Sequence, residues 1–264
     1  MKFFVLTKQK IILAACCVTA AVLATVVCCS SYNQVVEASS VQRKIPIYCV
    51  ESDKKQVSIS FDAAWGNEQT QTLLDILKEK EVKATFFLVG DWVDKYPESV
   101  KAIADAGHDV GNHSNTHAHL PQLSDDKIQS DLESCNSKIQ QITGKCPTLF
   151  RPPYGDYNNN LVSVTNKINM YCVQWDIDSL DWKDPTPQQM VDRIKGKLQC
   201  GSIILMHNGA KNTPEALPQI IDMIKSEGYE LVPISQILVQ GDYYTDHEGR
   251  MHCQTEGATS VSTQ

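Results

Sequence analysis

Residues 56–90 read "QVSISFDAAWGNEQTQTLLDILKEKEVKATFFLVG". "QVSISFD" looks like a strand, "EQTQTLLDILKEKE" has the apolar spacing of a helix, and "ATFFLVG" is a strand again. Strand, helix and strand in that order make a parallel pair joined by a crossover helix. Upstream, "IPIYCVE" reads as a further strand. Downstream the alternation continues. "WVDKYPESVKAIADAG" is helical, "HDVGNH" is a short strand, and "SDDKIQSDLESCNSKIQQITG" is an amphipathic helix with Ser124 as N-cap and Gly144 as stop. "TLFRPP", "MYCVQWDID", "GSIILMHN" and "YELVPIS" supply strands, separated by helical stretches at 159–169, "TPQQMVDRIKGKLQCG" and "TPEALPQIIDMIKSEG". Roughly seven such units in one domain favour a βα barrel, with a doubly wound sheet as the alternative. No G-x-G-x-x-G and no P-loop is present, which disfavours a nucleotide fold.

The chain has 264 residues, 42% of them apolar, and a formal charge of −7. The first thirty residues carry Lys2, Lys8 and Lys10 and no acid, so the remainder holds 21 basic against 31 acidic residues. That balance repels nucleic acid and anionic lipid surfaces. "IILAACCVTAAVLATVVCC" over 11–29 is long enough to span a hydrocarbon core of roughly 30 Å. Behind a lysine-bearing start it reads as an uncleaved signal-anchor, with the rest of the chain exported and the membrane met through this helix only. The expected organisation is an anchor over 1–30, a polar linker over 31–44, one α/β domain over 45–240 and a frayed polar tail over 241–264.

Four of the ten cysteines lie in the apolar segment. The other six, Cys49, Cys135, Cys146, Cys172, Cys200 and Cys253, permit disulfides in an exported domain. Cys135–Cys146 and Cys172–Cys200 are the expected pairs, against the plainer reading of six free thiols. None has C-x-x-C spacing, which counts against a cysteine zinc site.

Asp62, His113, Arg151, Asp181 and His207 each fall at or just past the C-terminal end of an expected strand, and in a βα barrel those ends share one face. His113 and His117 are four apart, so a helical turn would put both rings on one side, within reach of one ion. Two surface histidines are the plainer reading of H-x-x-x-H. His119 is expected to point away from the pair. "FRPPYG" (150–155) is a rigid loop able to present N–H groups to an oxyanion, or simply a structural turn. His207 ends an apolar strand. It is either a satisfied core residue or, near a carboxylate, a tunable acid.

The ordered set "SFDAAW", "HSNTH", "RPPYG", "DSLDW" and "ILMHN" resembles the five motifs of the polysaccharide deacetylase family (NodB-type, carbohydrate esterase family 4) across residues 46–238. "IYCVESDKKQVSISFDAAWG" resembles the branch associated with sporulation. The resemblance implies a deformed (β/α)7 barrel, here preceded by a transmembrane helix. It also implies a metal-assisted hydrolase that removes N-acetyl groups from a cell-wall glycan, peptidoglycan or a chitin-like polymer. The metal, zinc with cobalt or manganese as alternatives, would sit on His113 and His117. Asp62 would be the general base, oriented by Arg151. His207 would be the general acid, tuned by Asp181. Tyr154 would give its backbone N–H to the oxyanion, and Trp182 and Leu205 would pack around the acetyl methyl.

One departure stands out. The family's usual first motif is T-F-D-D, whose second aspartate is the third metal ligand; here that position is Ala63. Asp62 or another carboxylate such as Asp109 could complete the site, or water could fill it. Otherwise the protein is a glycan-binding member that does not catalyse. A metallopeptidase is a further reading, disfavoured because no H-E-x-x-H is present.

Overall fold

The computed structural model of the chain describes residues 8–9, 18–27 and 43–254. Residues 18–27 are helical and expose Val18, Val22, Leu23, Val26 and Val27. Among the described residues no helix is long and apolar enough to cross a membrane. The rest of the expected anchor, and the linker up to residue 42, lie outside the described residues.

The unit from Lys44 onward is built on strands β1 (Cys49–Val50), β2 (Gln56–Ala63), β3 (Thr85–Leu88), β4 (Asp109–Asn112), β5 (Leu149–Phe150), β6 (Tyr171–Cys172), β7 (Ile177–Asp178), β8 (Ile203–His207) and β9 (Glu230–Leu231), followed by β10 (Tyr243–Thr245) and β11 (Arg250–Cys253). The opening stretch folds as read. β2 and β3 pair in parallel and the helix Thr70–Glu79 joins them. β2 alternates strictly. Val57, Ile59, Phe61 and Ala63 join the main apolar cluster with Leu73 and Leu77 of that helix. Ser58, Ser60 and Asp62 therefore point to the opposite face. The two serines are buried, and their hydroxyls donate to the carbonyls of Val232 (2.7 Å) and Ile204 (2.8 Å).

The main sheet runs β6-β5-β4-β3-β2-β8-β7, with β9 also on β2, and its strand pairs are parallel. β6 and β7 stand at opposite ends of that order, yet only residues 173–176 separate them. Five residue steps reach at most about 18 Å, whereas the edges of seven flat strands lie about 29 Å apart. The sheet must therefore curl until its ends approach. The expected single strand "MYCVQWDID" is thus two short strands, one on each edge of a curled parallel sheet covered by helices.

Other elements differ from expectation in instructive ways. "IPIYCVE" forms only β1, which pairs with β11, while Ile47 bridges Val173 on the β6 side. "YELVPIS" is strand only at β9; after Pro233 it turns into the short helix Ile234–Ile237. The helix Asp125–Thr143 starts after Ser124 and stops at Gly144 (φ 73°), as read, although the Ser124 side chain makes no cap bond. The polar stretch expected as a frayed tail contains the β10–β11 hairpin. Met251 is buried there, and the Asp246 carboxylate holds the turn by accepting from the N–H groups of Glu248 and Arg250 (2.9 and 3.0 Å). His252 then ties the hairpin to β1, bridging Glu51 and Asp246 at 2.7 and 2.9 Å.

The expected disulfides do not form: Cys49, Cys135, Cys146, Cys172, Cys200 and Cys253 are all free. Cys135 is buried, its thiol donating to the Leu88 carbonyl (3.4 Å), while Cys146 is exposed. Cys172 lies in a separate apolar cluster with Phe150 and Leu161.

Candidate active site

Strand register assembles the centre. In the β2–β8 pair Asp62 stands opposite His207, and in the β2–β3 pair it stands opposite Phe87. His113 and Arg151 follow directly on β4 and β5, held by N–H bonds to the carbonyls of Leu88 (3.0 Å) and Asn112 (2.9 Å). Asp181 enters from the short turn Asp181–Lys183 beyond β7. The five ionisable groups expected at one rim are thus brought together.

Arg151 is fully buried. Its Nη1 donates to Asp62 Oδ1 (2.8 Å) and its Nη2 to the Gln174 carbonyl (3.1 Å). Phe87 and Trp175 flank the guanidinium at 4.1 and 5.6 Å from their ring centres. Burial alone would raise the Asp62 carboxyl, but the charge and hydrogen bond of Arg151 outweigh it and hold Asp62 below the usual carboxylate range. Asp62 is therefore an ionised base at neutral pH.

His207 is its counterpart. Its Nδ1–H donates to Asp181 Oδ1 (2.7 Å), which leaves Nε2 as the ring nitrogen available to a substrate. Asp181 is fixed further by the His207 backbone N–H (2.7 Å) and the Thr213 hydroxyl (2.8 Å), both on Oδ2. Burial pulls the imidazole pKa down, yet the Asp181 carboxylate overcomes this and holds His207 above its ordinary value of 6.5. One buried carboxylate held below the usual range beside one imidazole held above its own is the division of labour that general acid–base hydrolysis needs.

The two metal-ligand candidates meet, but not on a helix. Residues 113–117 form an irregular loop in which Ser114 (φ 68°) and His117 (φ 58°) are left-handed. Asn112 Oδ1 accepts from the Ser114 N–H and Asp131 Oδ1 from the Asn115 N–H, each at 2.8 Å. These polar anchors, not helical periodicity, bring the rings of His113 and His117 to 5.0 Å between centres. His113 Nδ1–H donates to the Arg151 carbonyl (2.7 Å), leaving Nε2 free and 3.4 Å from Asp62 Oδ2. Burial lowers the pKa of both rings, that of His117 to about 4, so both present neutral lone pairs.

This donor set fits a cation held by two imidazoles, with the outer carbonyl partner on His113 that ligating histidines typically have. It lacks a third protein ligand. Among the described residues no group of three or more His, Cys, Asp or Glu side chains is placed to hold an ion. Ala63 is buried in the helix-facing cluster. Asp109 is excluded as a substitute: it starts β4, at the other end of the strand from His113, and binds Thr85 and Ser235.

Around this centre lie the expected substrate contacts. Leu205 is two residues before His207 on β8 and so shares its face. Trp182 is exposed, with Lys183 Nζ 4.6 Å over its ring. Tyr154 is exposed and left-handed (φ 61°), in a turn held by the Gln174 side chain donating to the Gly155 carbonyl (2.9 Å). His119 is not idle. It stacks on Tyr154 at 4.3 Å and its Nδ1 pairs with Asp156 at 3.2 Å. Sequence reading missed Asn112, Gln174 and Thr213. Each is an ordinary polar residue whose role exists only through contacts distant in the chain.

A curled parallel βα sheet thus carries a buried Asp–Arg pair, a His–Asp pair and two converging histidines at its strand ends, a set of groups suited to acid–base hydrolysis. Comparison with known proteins gives the family. Residues 50–173 match the polysaccharide deacetylase family model. The peptidoglycan-N-acetylglucosamine deacetylase of Bacillus cereus is 33% identical over 186 residues, covering 69% of this chain and 68% of that protein. YlxY of Bacillus subtilis, an uncharacterized protein, is 36% identical over 210 residues, 78% of this chain but 65% of its own length. The solved structure of BA3943, a CE4 family pseudoenzyme from Bacillus anthracis, superposes with a TM-score of 0.70 at 38% identity, covering 73% of this chain and 68% of that one. A BA3943 mutant with restored enzymatic activity gives the same TM-score at 39% identity, covering 73% and 70%. The chain belongs to the polysaccharide deacetylase family, whose deacetylases are in general metal-dependent.

Proposed function

We propose that the protein hydrolyses N-acetyl groups of a cell-wall glycan, peptidoglycan or a related N-acetylhexosamine polymer, releasing acetate. The observation that carries this reading is the register pairing of Asp62 with His207, one tied to Arg151 and the other to Asp181. The named deacetylases among the relatives support it.

His113 and His117 would hold a divalent cation, zinc, cobalt or manganese, which when bound polarises the amide carbonyl and lowers the pKa of water toward about 7. Asp62 takes the proton of the attacking water, and Arg151 keeps that carboxylate charged and aimed. The Tyr154 backbone N–H donates to the developing oxyanion. His207 gives its Nε2 proton to the leaving amine, and Asp181 keeps that proton in place until it is needed. Leu205 and Trp182 flank the acetyl methyl. Asp62 and His207 are register partners on neighbouring parallel strands about 4.8 Å apart, so base and acid start from adjacent positions. The test is acetate release by the full chain, in detergent, from peptidoglycan fragments and N-acetylglucosamine oligomers with each metal added. Folded protein that releases none with any of them refutes the reading.

Ala63 favours a second reading, a glycan-binding member without turnover. The pseudoenzyme status of BA3943 lends it weight. It requires sugar binding that survives metal removal and His113→Ala, with no acetate from the wild type. We further propose that the apolar segment over 11–29 anchors the protein in the cell membrane with the catalytic unit outside. Protease accessibility of that unit on intact cells tests this; protection from added protease refutes it.

A further inference from the structure

The inner face of the helix Asp125–Thr143 carries one polar residue among apolar ones. Ile128, Leu132, Cys135 and Ile139 are buried there, and Asn136 is buried beside them. Asparagine is a poor helix former, and a buried amide costs stability unless it is hydrogen-bonded. Both ends of this one are. Its Oδ1 accepts from Asn112 Nδ2 (2.8 Å), and its Nδ2 donates to Met170 Sδ (3.2 Å).

Asn112 passes the constraint on. Its Nδ2 also donates to the Leu132 carbonyl of the same helix (2.9 Å). With both Nδ2 protons spent on the helix, the amide has one orientation, and Oδ1 faces the Ser114 N–H (2.8 Å). That bond closes over His113, the residue between, and holds Ser114 at a φ of 68°. The same helix face acts at two further points. Asp131 accepts from the Asn115 N–H, and the Cys135 thiol donates to the Leu88 carbonyl that also accepts from the His113 N–H. Residues 131, 132, 135 and 136 are one and four apart, so they share one side of the helix. The loop's own side chains do not hold it: Ser114 Oγ and Asn115 Oδ1 are buried without a hydrogen-bond partner. The N–H groups of Gly90 and Asp91 bind the carbonyls of Ser114 and Asn115 (3.0 and 2.9 Å), but they act after His113, whereas the Asn112 bond encloses it. Among the described residues the site has no third protein ligand, so the spacing of its two imidazoles carries more of the affinity for a cation.

We propose that Asn136 is a positioning residue for the metal pair. Acting through Asn112, it sets the path of the chain from His113 to His117 and so the spacing at which the two rings meet one ion. The inference rests on the metal reading above and adds a determinant of metal affinity that lies on a helix, away from the strand ends.

The test measures the zinc affinity of the full chain in detergent by competition with a chromogenic chelator. His113→Ala marks the binding that belongs to this pair, and urea unfolding is read alongside. Asn136→Leu removes the acceptor at similar volume, and Asn136→Ala removes it without adding bulk. Losing a partner behind the ligands costs about 10- to 100-fold in metal affinity, and one step further out we expect the lower end, about a 10-fold rise in the zinc Kd. In an Asn112→Ala background, Asn136→Leu should change that Kd by less than about 2-fold, because the route is already cut. A purely structural Asn136 lowers stability and leaves the zinc Kd of the folded chain unchanged. That result overturns the proposal, as do full additivity in the double variant and failure of both single variants to fold. Zinc binding that is absent, or that His113→Ala does not weaken, overturns the metal reading and this inference with it. Zinc affinity that responds to Asn136→Leu, with no acetate released by the wild type, supports the inference and overturns only the hydrolytic reading.

Discussion

Replacing Asp62 by asparagine probes the centre most deeply, because one side chain carries both the proposed chemistry and a large share of local stability. Asp62 Oδ1 accepts from Arg151 Nη1 at 2.8 Å, with the arginine wholly buried. At that separation and an effective dielectric near 20, the gross attraction is about 6 kcal/mol. Desolvation offsets much of it. The arginine is not fully compensated even in the wild type: burial lowers its pKa despite Asp62, and its Nε has no partner. A guanidinium nonetheless stays charged in proteins. Asparagine keeps the shape and one acceptor but leaves that buried cation unpaired. Breaking one side of a buried pair costs about 3–5 kcal/mol, and we expect the lower end, about 3. For a unit of this size that is roughly 6–12 °C in Tm. Urea unfolding gives the energy, and acetate release should fall by about 10²–10⁴ from loss of the base. Adding Arg151→Met removes the orphaned charge, so the double variant should be more stable than the sum of the single losses. A loss below about 1 kcal/mol, or strict additivity in the double variant, refutes the reasoning.

The remaining predictions concern the metal, the acid and the loop. Ala63→Asp puts a carboxylate into an apolar cluster; it should lower Tm without metal, tighten zinc binding and raise acetate release at low metal, all readable by thermal shift and metal titration. Unchanged zinc affinity would mean that the new carboxylate stays on the helix-facing side of β2, away from His113 and His117. His207 has a folded pKa raised above 6.5 by Asp181, so the pair's contribution to stability is complete below that value and fades as pH rises through the folded pKa. Asp181→Asn should therefore cost more stability at pH 5 than at pH 9 and move the alkaline limb of the rate profile to lower pH; a limb that stays in place contradicts the tuning. Gly155→Ala places a Cβ 2.9 Å from the Trp175 ring at a φ of 69° and should cost about 1–2 kcal/mol from the left-handed backbone alone, measured by urea unfolding.

Much of this was legible in the sequence because it is local. The alternation in β2, with Phe61 inward to the helices and Asp62 opposite, follows from the two-residue period. Strand ends then locate Asp62, His113, Arg151 and His207 on one rim. What was not legible depends on curvature and long-range contacts. The run 170–178 has one strand's composition, and only sheet closure divides it between two edges. Helical spacing would pair His113 with His117, yet Asn112 and Asp131 impose a loop with left-handed residues that no periodicity reveals. The β10–β11 hairpin hid in polar residues because His252, Glu51 and Asp246 stabilise it by charge rather than by an apolar pattern. The free cysteines show the limit of counting: an even number permits pairing but does not place two sulfurs together.

The most direct test of the central claim is acetate release from hexa-N-acetylchitohexaose or peptidoglycan fragments by the zinc-loaded full chain, run beside His207→Ala. The account predicts acetate from the wild type and a rate lower by about 10²–10⁴ in the variant. A folded wild type that binds the hexamer yet releases no acetate with zinc, cobalt or manganese would contradict it.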